Sequence, residues 1–349
     1  MNGVDLSSPS CSNVRPAMAP DRIGITGANG FIGAHLLRSA VARGFRPVAF
    51  LQRNSSLESI ADLEGKYDGV FGDLLDRESV DAFAGRCDAI FHLAGLNRYW
   101  AEDRALFHRI NVLGVQNVAE ACVRRRVRKL VHTSSCITLG ASDAACPRNE
   151  DSPYNLERLN FLYADTKKAG EEEIKRRVRE RGLPAVIVNP TSAIGERDYG
   201  PTPIGKPIAD IARGMWPVYV AGGACFIDVH DVVRGLWLAL ERGTVGRQYL
   251  LVGENLSNQE FMTKVAGIAG VARPRFKAPK ALLDVVGAVA EWTADRFTRK
   301  APALTSAMSG LIGRYLYFDG ARAHSELGFK AGPVTPAIER CVLWFREAR

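Results

Sequence analysis

Residues 26–37 read TGANGFIGAHLL and follow directly on the short apolar run RIGIT at 22–26. Gly27, Gly30 and Gly33 stand at the spacing GxxGxxG, with a helix expected from about Phe31. Glycine is needed where the backbone turns sharply out of a strand, and where it must approach a pyrophosphate with no Cβ in the way. The last glycine lets helix and strand pack closely, and the helix N-terminus offers N–H groups to phosphates. The spacing alone is a weak signal; between a strand and a helix, heading a strand–helix series, it is a strong one. The expected contacts to a dinucleotide are Thr26, Gly27, Asn29, Gly30, Phe31, Ile32 and Gly33.

Outward from this stretch, short apolar or β-branched runs alternate with helical ones. PVAFL, DGVFGD and a helix near 77–84 come first, then AIFHLAG and a long helix through FHRINVLGVQNVAEACVRR. KLVHTSS, a helix carrying Tyr163, and AVIVNP follow. Such alternation predicts an α/β fold, a Rossmann-type doubly wound parallel sheet covered on both faces. Past Pro190 the stretch NPTSAIGERDYGPTPIGKP is dense in Gly and Pro and reads as an ordered loop. Later strands, FIDVH and RQYLLVG, are mixed with helices and predict a smaller, less regular C-terminal substrate domain. The expected division is a flexible tail over 1–20, a Rossmann domain over 21–192, and a substrate-binding domain over 193–349. Elements near 224–252 are expected to return to the first domain.

The bulk properties exclude other classes. The net charge of +8 is concentrated in RRRVRK (Arg124 to Lys129) and KRRVRER (Lys175 to Arg181). Both lie at expected helix ends, where cations complement the helix dipole and face water, so no nucleic-acid partner is expected. The first twenty residues are rich in Ser and Pro and lack the apolar core of an export signal. No stretch approaches the roughly 20 apolar residues of a membrane span. Ala281 to Phe297, ALLDVVGAVAEWTADRF, is broken by Asp284, Glu291 and Asp295 and reads as an amphipathic helix on the protein body. Loose membrane contact is its alternative, of interest if the substrate is a lipid. The seven cysteines are odd in number, widely scattered and free of CxxC pairs, which predicts free thiols in a reducing cytoplasm and no metal site.

The second strand selects the nucleotide. An NAD enzyme places Asp or Glu there to accept from the ribose 2′-OH. This strand ends FLQRNSS, with Gln52 and Arg53 and no carboxylate. An arginine can hold a 2′-phosphate that a carboxylate would repel, so NADP(H) is expected in preference to NAD(H), although Arg53 could also be a solvated loop residue. Asp73 and Leu74 end the third strand, where an adenine edge would lie. Leu93, Ala94 and Gly95 end the fourth, where backbone must pass close to the cofactor. His92 within that strand reads as a buried histidine rather than a catalyst.

In LYADTKKA, Tyr163 and Lys167 are four residues apart and share a helix face. Such pairs are common and by themselves prove nothing. In order, however, TGANGFIG, GDL, HLAG, NVLGVQN, TSS, YADTK and NP resemble the extended short-chain dehydrogenase/reductases, and FIDVHDVVRGLWLAL and YFDGARAHSELGF resemble that superfamily's C-terminal half. The Arg-ended second strand, NPTSAIGERDYGPTPIG and GENLSNQEF are most similar to dihydroflavonol reductase-like proteins, in particular the group called hopanoid-associated sugar epimerases. The resemblance implies that Tyr163 is the general acid/base, its phenol drawn down from its usual value near 10 by Lys167 and the positive nicotinamide. Lys167 would also bind the nicotinamide ribose. Ser135, with Ser134 as runner-up, would hydrogen-bond the substrate oxygen. Asn111 would support the site, and Asn189, Pro190 and Ser192 would begin the loop that meets the nicotinamide. A homodimer through two long sheet-flanking helices is usual in the family.

Two departures, CITLG after the serine and the missing acid on the second strand, count against a standard UDP-sugar epimerase. For the small-molecule substrate, Asn97, Tyr99 and Trp100 are pocket candidates, though Trp100 could equally pack under the next helix. Arg197, Tyr199 and His230 are further candidates. The expected function is an NADP(H)-dependent reductase or dehydrogenase acting on a hydrophobic or ring-containing molecule. A sugar epimerase or dehydratase with transient oxidation is the runner-up, and a non-catalytic NADPH-binding protein comes from a different class.

Overall fold

Apolar runs four to six residues long need cover on both faces, and a parallel sheet between helical layers provides it. In the computed structural model, which describes residues 21–347, the first half begins with β1 (Ile23–Thr26), α1 (Phe31–Ala42), β2 (Val48–Leu51), β3 (Asp68–Phe71) and α2 (Arg77–Ala84). It continues through β4 (Ala89–His92), α3 (Ala105–His108), α4 (Val115–Arg125), β5 (Lys129–Thr133), α5 (Leu162–Arg181) and β6 (Ala185–Pro190). The second half runs β7 (Ser192–Ile194), α6 (Gly205–Ala212), β8 (Val218–Tyr219), β9 (Gly223–Asp228), α7 (Val229–Arg242), β10 (Gln248–Leu251) and β11 (Glu254–Ser257). It ends with α8 (Asn258–Ala269), β12 (Phe276–Lys277), α9 (Lys280–Thr293), α10 (Ser306–Leu311), β13 (Tyr315–Leu316) and α11 (Thr335–Glu347). The tail expected over 1–20 lies outside the described residues.

Seven strands form one sheet in the order β10-β6-β5-β4-β1-β2-β3, with every neighbouring pair parallel. Side chains alternate between its faces. Ile23, Ile25, Leu51, Phe91 and Val188 pack with α1 and α7; Val48, Phe50, Ile90, Leu130 and Ile187 pack with α2, α4 and α5. Strand order reverses between β1 and β4, so the crevice beyond their C-terminal ends is where such a sheet takes its ligand.

The chain leaves the sheet after β6. There β9 anchors a smaller four-stranded sheet with β7, β11 and β13, covered by α6, α8 and α11. Phe226 of β9 stacks on Phe261 of α8 at 3.7 Å between ring centroids. Of the elements near 224–252, α7 and β10 join the large sheet, whereas β9 belongs to the small one.

Three sequence expectations change. The strand expected at FIDVH stops at Asp228, whose side chain accepts from the His230 amide at 2.9 Å and caps α7, so His230 lies in a helix. The long helix through 107–125 is interrupted by a π-helical stretch at Arg109–Gly114. Its widened turn lies against α5, where a Cβ on Gly170 would come 2.5 Å from the Asn111 carbonyl oxygen. Finally, α9 does not bury an apolar face on the body: of its residues only Gly287 is buried. No helix among the described residues is long and apolar enough to cross a membrane. The described cysteines are free; Cys146 is exposed and Cys87, Cys122, Cys136, Cys225 and Cys341 are buried, while Cys11 lies outside the described residues.

Candidate active site

The glycine stretch forms a cradle that side chains would block. Gly27 has φ +68°, and a Cβ on it would lie 2.7 Å from the Ala94 amide nitrogen; on Gly33 it would lie 1.9 Å from the Gly27 carbonyl oxygen. Gly30 is the N-cap of α1 and no side chain caps this helix, which leaves its first-turn N–H groups for an outside acceptor. Thr26 Oγ1 accepts from the Ala94 amide at 3.2 Å and lies 2.7 Å from His92 Nδ1, joining β1 to β4 where they diverge. Asn29 donates to the Ser56 carbonyl at 2.9 Å and its own carbonyl accepts from Ser59 at 2.7 Å, so it pins the loop to the chain beyond β2. Phe31 and Ile32 are half-buried in the first turn of α1, as are Leu93 and Ala94 at the end of β4, with Gly95 exposed beside them.

Arg53 is exposed in the turn after β2, and no carboxylate lies between Gln52 and Ser56. After β3, Asp73 accepts from the Leu75 amide at 2.9 Å, and the buried Leu74 receives Asn117 on its carbonyl at 2.8 Å. A Cβ-free crossing and an uncapped helix N-terminus together fit the pyrophosphate of a dinucleotide.

The catalytic candidates meet at the ends of β5 and α5. Ser135 Oγ accepts from the Ile137 amide at 3.4 Å and lies close enough to Tyr163 to favour its phenolate, whereas Ser134 Oγ is buried without a protein partner. Lys167 is buried and donates to the Thr133 carbonyl at 2.9 Å. Burial depresses the Lys167 ammonium to about 8, against the charge of Glu171, which raises it. Burial also pushes the Tyr163 phenol up to about 12, against Ser135, which lowers it. Among the protein groups, then, desolvation outweighs what Lys167 was expected to do for the phenol. Asn111 receives the Leu96 amide at 2.8 Å and donates to Thr166 at 3.1 Å, tying the loop after β4 to α5. Asn189 donates to the Ser135 carbonyl at 2.9 Å, and Pro190 and Ser192 carry the chain from β6 into β7. His92 is fully buried and burial takes its pKa down to about 3, consistent with a neutral core histidine.

The structure divides the substrate candidates. Tyr99 lies 5.8 Å from the Tyr163 ring and 5.1 Å from that of Phe161. Trp100 is buried, donates to Asp295 just beyond α9 at 2.7 Å, and walls the recess beside Tyr99, Phe161 and Leu162. Asn97 is exposed on the same loop. The other three have partners away from Tyr163: Arg197 pairs with Asp62 at 3.3 Å, Tyr199 packs edge-on against Trp344, and His230 lies 2.8 Å from Glu196.

This geometry has counterparts. The sequence profile of the NAD dependent epimerase/dehydratase family matches residues 23–252. The chain belongs to that family, the extended short-chain dehydrogenase/reductases. A dihydroflavonol 4-reductase-like protein of Synechocystis sp. is 31% identical over 93% of this chain and 94% of its own length. Sterol demethylase protein B of Methylococcus capsulatus is 30% identical over 93% and 98%. The crystal structure of gox2253 superposes with a TM-score of 0.83 at 34% identity, covering 94% of this chain and 98% of that one. A nicotinamide dinucleotide is thus the cofactor of the family to which the chain belongs.

Two features of this family member escaped the sequence reading. Glu171, fully buried, accepts from Thr138 at 2.7 Å and Asn189 at 2.5 Å and lies 3.4 Å from the Gln248 amide, fixing the turn that follows Ser135. Its signal was present, since it stands one helical turn beyond Lys167. The second is a cluster in which donor atoms of His35, Glu196 and His230 lie within 4.8 Å of one another. Arg340 donates to the Glu196 carboxylate at 2.8 Å and His35 Nε2 lies 3.1 Å from the Glu196 carbonyl, so the cluster is satisfied as an ion-pair network.

Proposed function

We propose that this chain is an NADP(H)-dependent reductase that interconverts a carbonyl and a secondary alcohol on a hydrophobic, ring-containing small molecule. The observation that carries the proposal is the setting of Tyr163: Ser135 stands beside it, and the rings of Tyr99 and Phe161 flank its own at 5.8 and 5.9 Å. Aromatic walls suit flat, apolar substrates better than a sugar ring bristling with hydroxyls. The sterol-related protein among the relatives supports the same substrate class, and Arg53 with the absent acid supports NADP(H).

The glycine stretch, the first turn of α1, Arg53, Asp73, the ends of β4 and β6, Tyr163 and Lys167 would hold the dinucleotide. When bound, it supplies or accepts the hydride. The remaining work belongs to the chain. A phenol pushed up to about 12 keeps its proton at neutral pH, which suits donation to the substrate oxygen in the reducing direction. Ser135 donates a hydrogen bond to the same oxygen and holds it as charge develops. Lys167, anchored on the Thr133 carbonyl, keeps a cation next to the site and favours phenolate when the reaction runs backwards. Trp100 and Phe161 line a narrow recess with Tyr99, whose ring lies 5.8 Å from that of Tyr163.

The test is Tyr163→Phe assayed with NADPH and polycyclic or steroidal ketones. Turnover should fall by about 10²–10⁴ with nucleotide affinity retained; full turnover in the variant would remove the proposed acid/base. A wild type that binds NADPH yet turns over no carbonyl or alcohol substrate, with or without the tyrosine, would indicate a binding protein.

A further inference from the structure

Seven of the twelve large hydrophobic side chains left exposed among the described residues lie between Phe276 and Phe297. Five of them share one face of α9. At 100° per residue, Leu282, Val285, Val286, Val289 and Trp292 fall within a third of the helix circumference. They are not marginally exposed: Val285 and Trp292 are each 60% accessible, and Phe297, packed edge-on against Trp292, is 67%. Contiguous apolar surface of this kind on one helix marks an interaction site.

The charges are sorted around that face. Each of the three carboxylates that interrupt the segment in sequence has a partner. Asp284 receives Lys280 at 2.8 Å, Glu291 receives the Ser306 amide at 2.9 Å, and Asp295 receives the Trp100 indole at 2.7 Å. Glu291 and Asp295 tie the segment to the body while Asp284 pairs within the helix, and at 100° per residue Asp284 and Glu291 lie opposite the apolar face. Over residues 273–300 the exposed charged side chains are seven cations, Arg273, Arg275, Lys277, Lys280, Arg296, Arg299 and Lys300, against the single acid Asp295. An apolar stripe rimmed by Lys and Arg is the composition of a helix lying in a membrane interface.

We propose that α9 and its flanks dock this protein on the surface of an anionic lipid bilayer, with the apolar side chains reaching the headgroup–acyl boundary and the rim cations on the lipid phosphates. The charge pattern selects a bilayer over a second copy of the chain. An isologous contact through α9 would set the cationic rim of one copy against that of the other, whereas anionic headgroups complement it. The inner side of the same helix supplies Glu291 to the recess lined by Tyr99, Trp100, Phe161 and Leu162, so a docked chain holds its substrate recess next to the lipid phase.

Docking is tested by co-sedimentation with vesicles of phosphatidylcholine alone and of phosphatidylcholine with phosphatidylglycerol. Wild type should pellet with the anionic vesicles, less so as salt rises, and little with the neutral ones. Val285→Glu/Val289→Glu should weaken that binding by about tenfold or more, with an unchanged melting temperature and unchanged nucleotide binding, because both side chains face water. Leu343→Glu, an exposed position on α11, should bind as wild type does. Absence of binding to either vesicle, or equal pelleting of wild type and the double variant, would overturn the proposal. So would a concentration-dependent dimer that the double variant splits, which would assign the face to a second copy. The readout needs no turnover, so it stands or falls separately from the reductase assignment.

Discussion

At the end of β5 two serines stand side by side; Ser135 acts on the phenol of Tyr163, lowering it, whereas Ser134 Oγ is buried without a protein partner. Ser135→Ala should therefore lower kcat/KM by about 10²-fold or more, while Ser134→Ala should change it by less than about threefold, a difference steady-state kinetics resolves. Comparable losses in both variants would mean that the two hydroxyls share the substrate oxygen. Burial also tells apart residues that sequence alone treats alike. His35 and His230 lie at one cluster, yet burial takes His35 down to about 4 while the Glu196 hydrogen bond raises His230. As pH falls from the usual 6.5 toward 4, the unfolded chain gains a proton that folded His35 refuses, so stability present above 6.5 is lost across that window. His230 works in the opposite sense, favouring the fold below its unfolded pKa. Substituting only His35 isolates its share. Denaturant titrations at pH 7 and 4.5 should show wild type losing roughly 2–3 kcal/mol more than His35→Gln. Parallel losses would place the charge elsewhere.

Elements in this chain are held together by where a Cβ cannot go. Gly33→Ala would drive a methyl against the Gly27 carbonyl, backbone against backbone. The variant should lose about 2–3 kcal/mol of stability together with nucleotide binding. Gly267, inside α8 with open space around its Cβ position, should do the reverse and gain about 0.5–1 kcal/mol as alanine. Thermal melts of the pair would contradict this account if both glycines proved indifferent. The same elements show what could be read from sequence. The glycine spacing and the alternating apolar runs located β1 to β6 to within a few residues, because a strand buried on both faces leaves a strong compositional mark. The π-helical turn at Arg109–Gly114 left none, since only its packing against Gly170 distinguishes it from α-helix. Tyr163, Lys167 and Asn111 were singled out by the resemblance of YADTK and NVLGVQN to the family's motifs, whereas the partners of Arg197, Tyr199 and His230 come from the chain after β2, from α11 and from the loop after β7, which no local pattern brings together. The three acids of 281–297 were visible, but not the partners that hold them, nor that the apolar face of α9 is left exposed.

On the scale of the whole molecule, the large sheet delivers a cofactor cradle at its switch point, and Glu291 of α9 and Ala307 of α10 close a narrow recess beside Tyr99, Trp100 and Phe161. The central claim is that this assembly works as a reductase with a nucleotide that comes and goes, read at its 2′-phosphate by Arg53. The most direct measurement is the nucleotide preference of the purified protein. Any bound nucleotide is identified after denaturation, and the emptied protein and its Arg53→Ala variant are titrated with NADPH and NADH. The account predicts an empty protein that prefers NADPH by about tenfold or more, roughly 1.4 kcal/mol, and a variant in which that preference is gone. Tightly retained NAD(H), with no gain from the 2′-phosphate, would contradict it and point to an epimerase that returns its hydride to the same substrate.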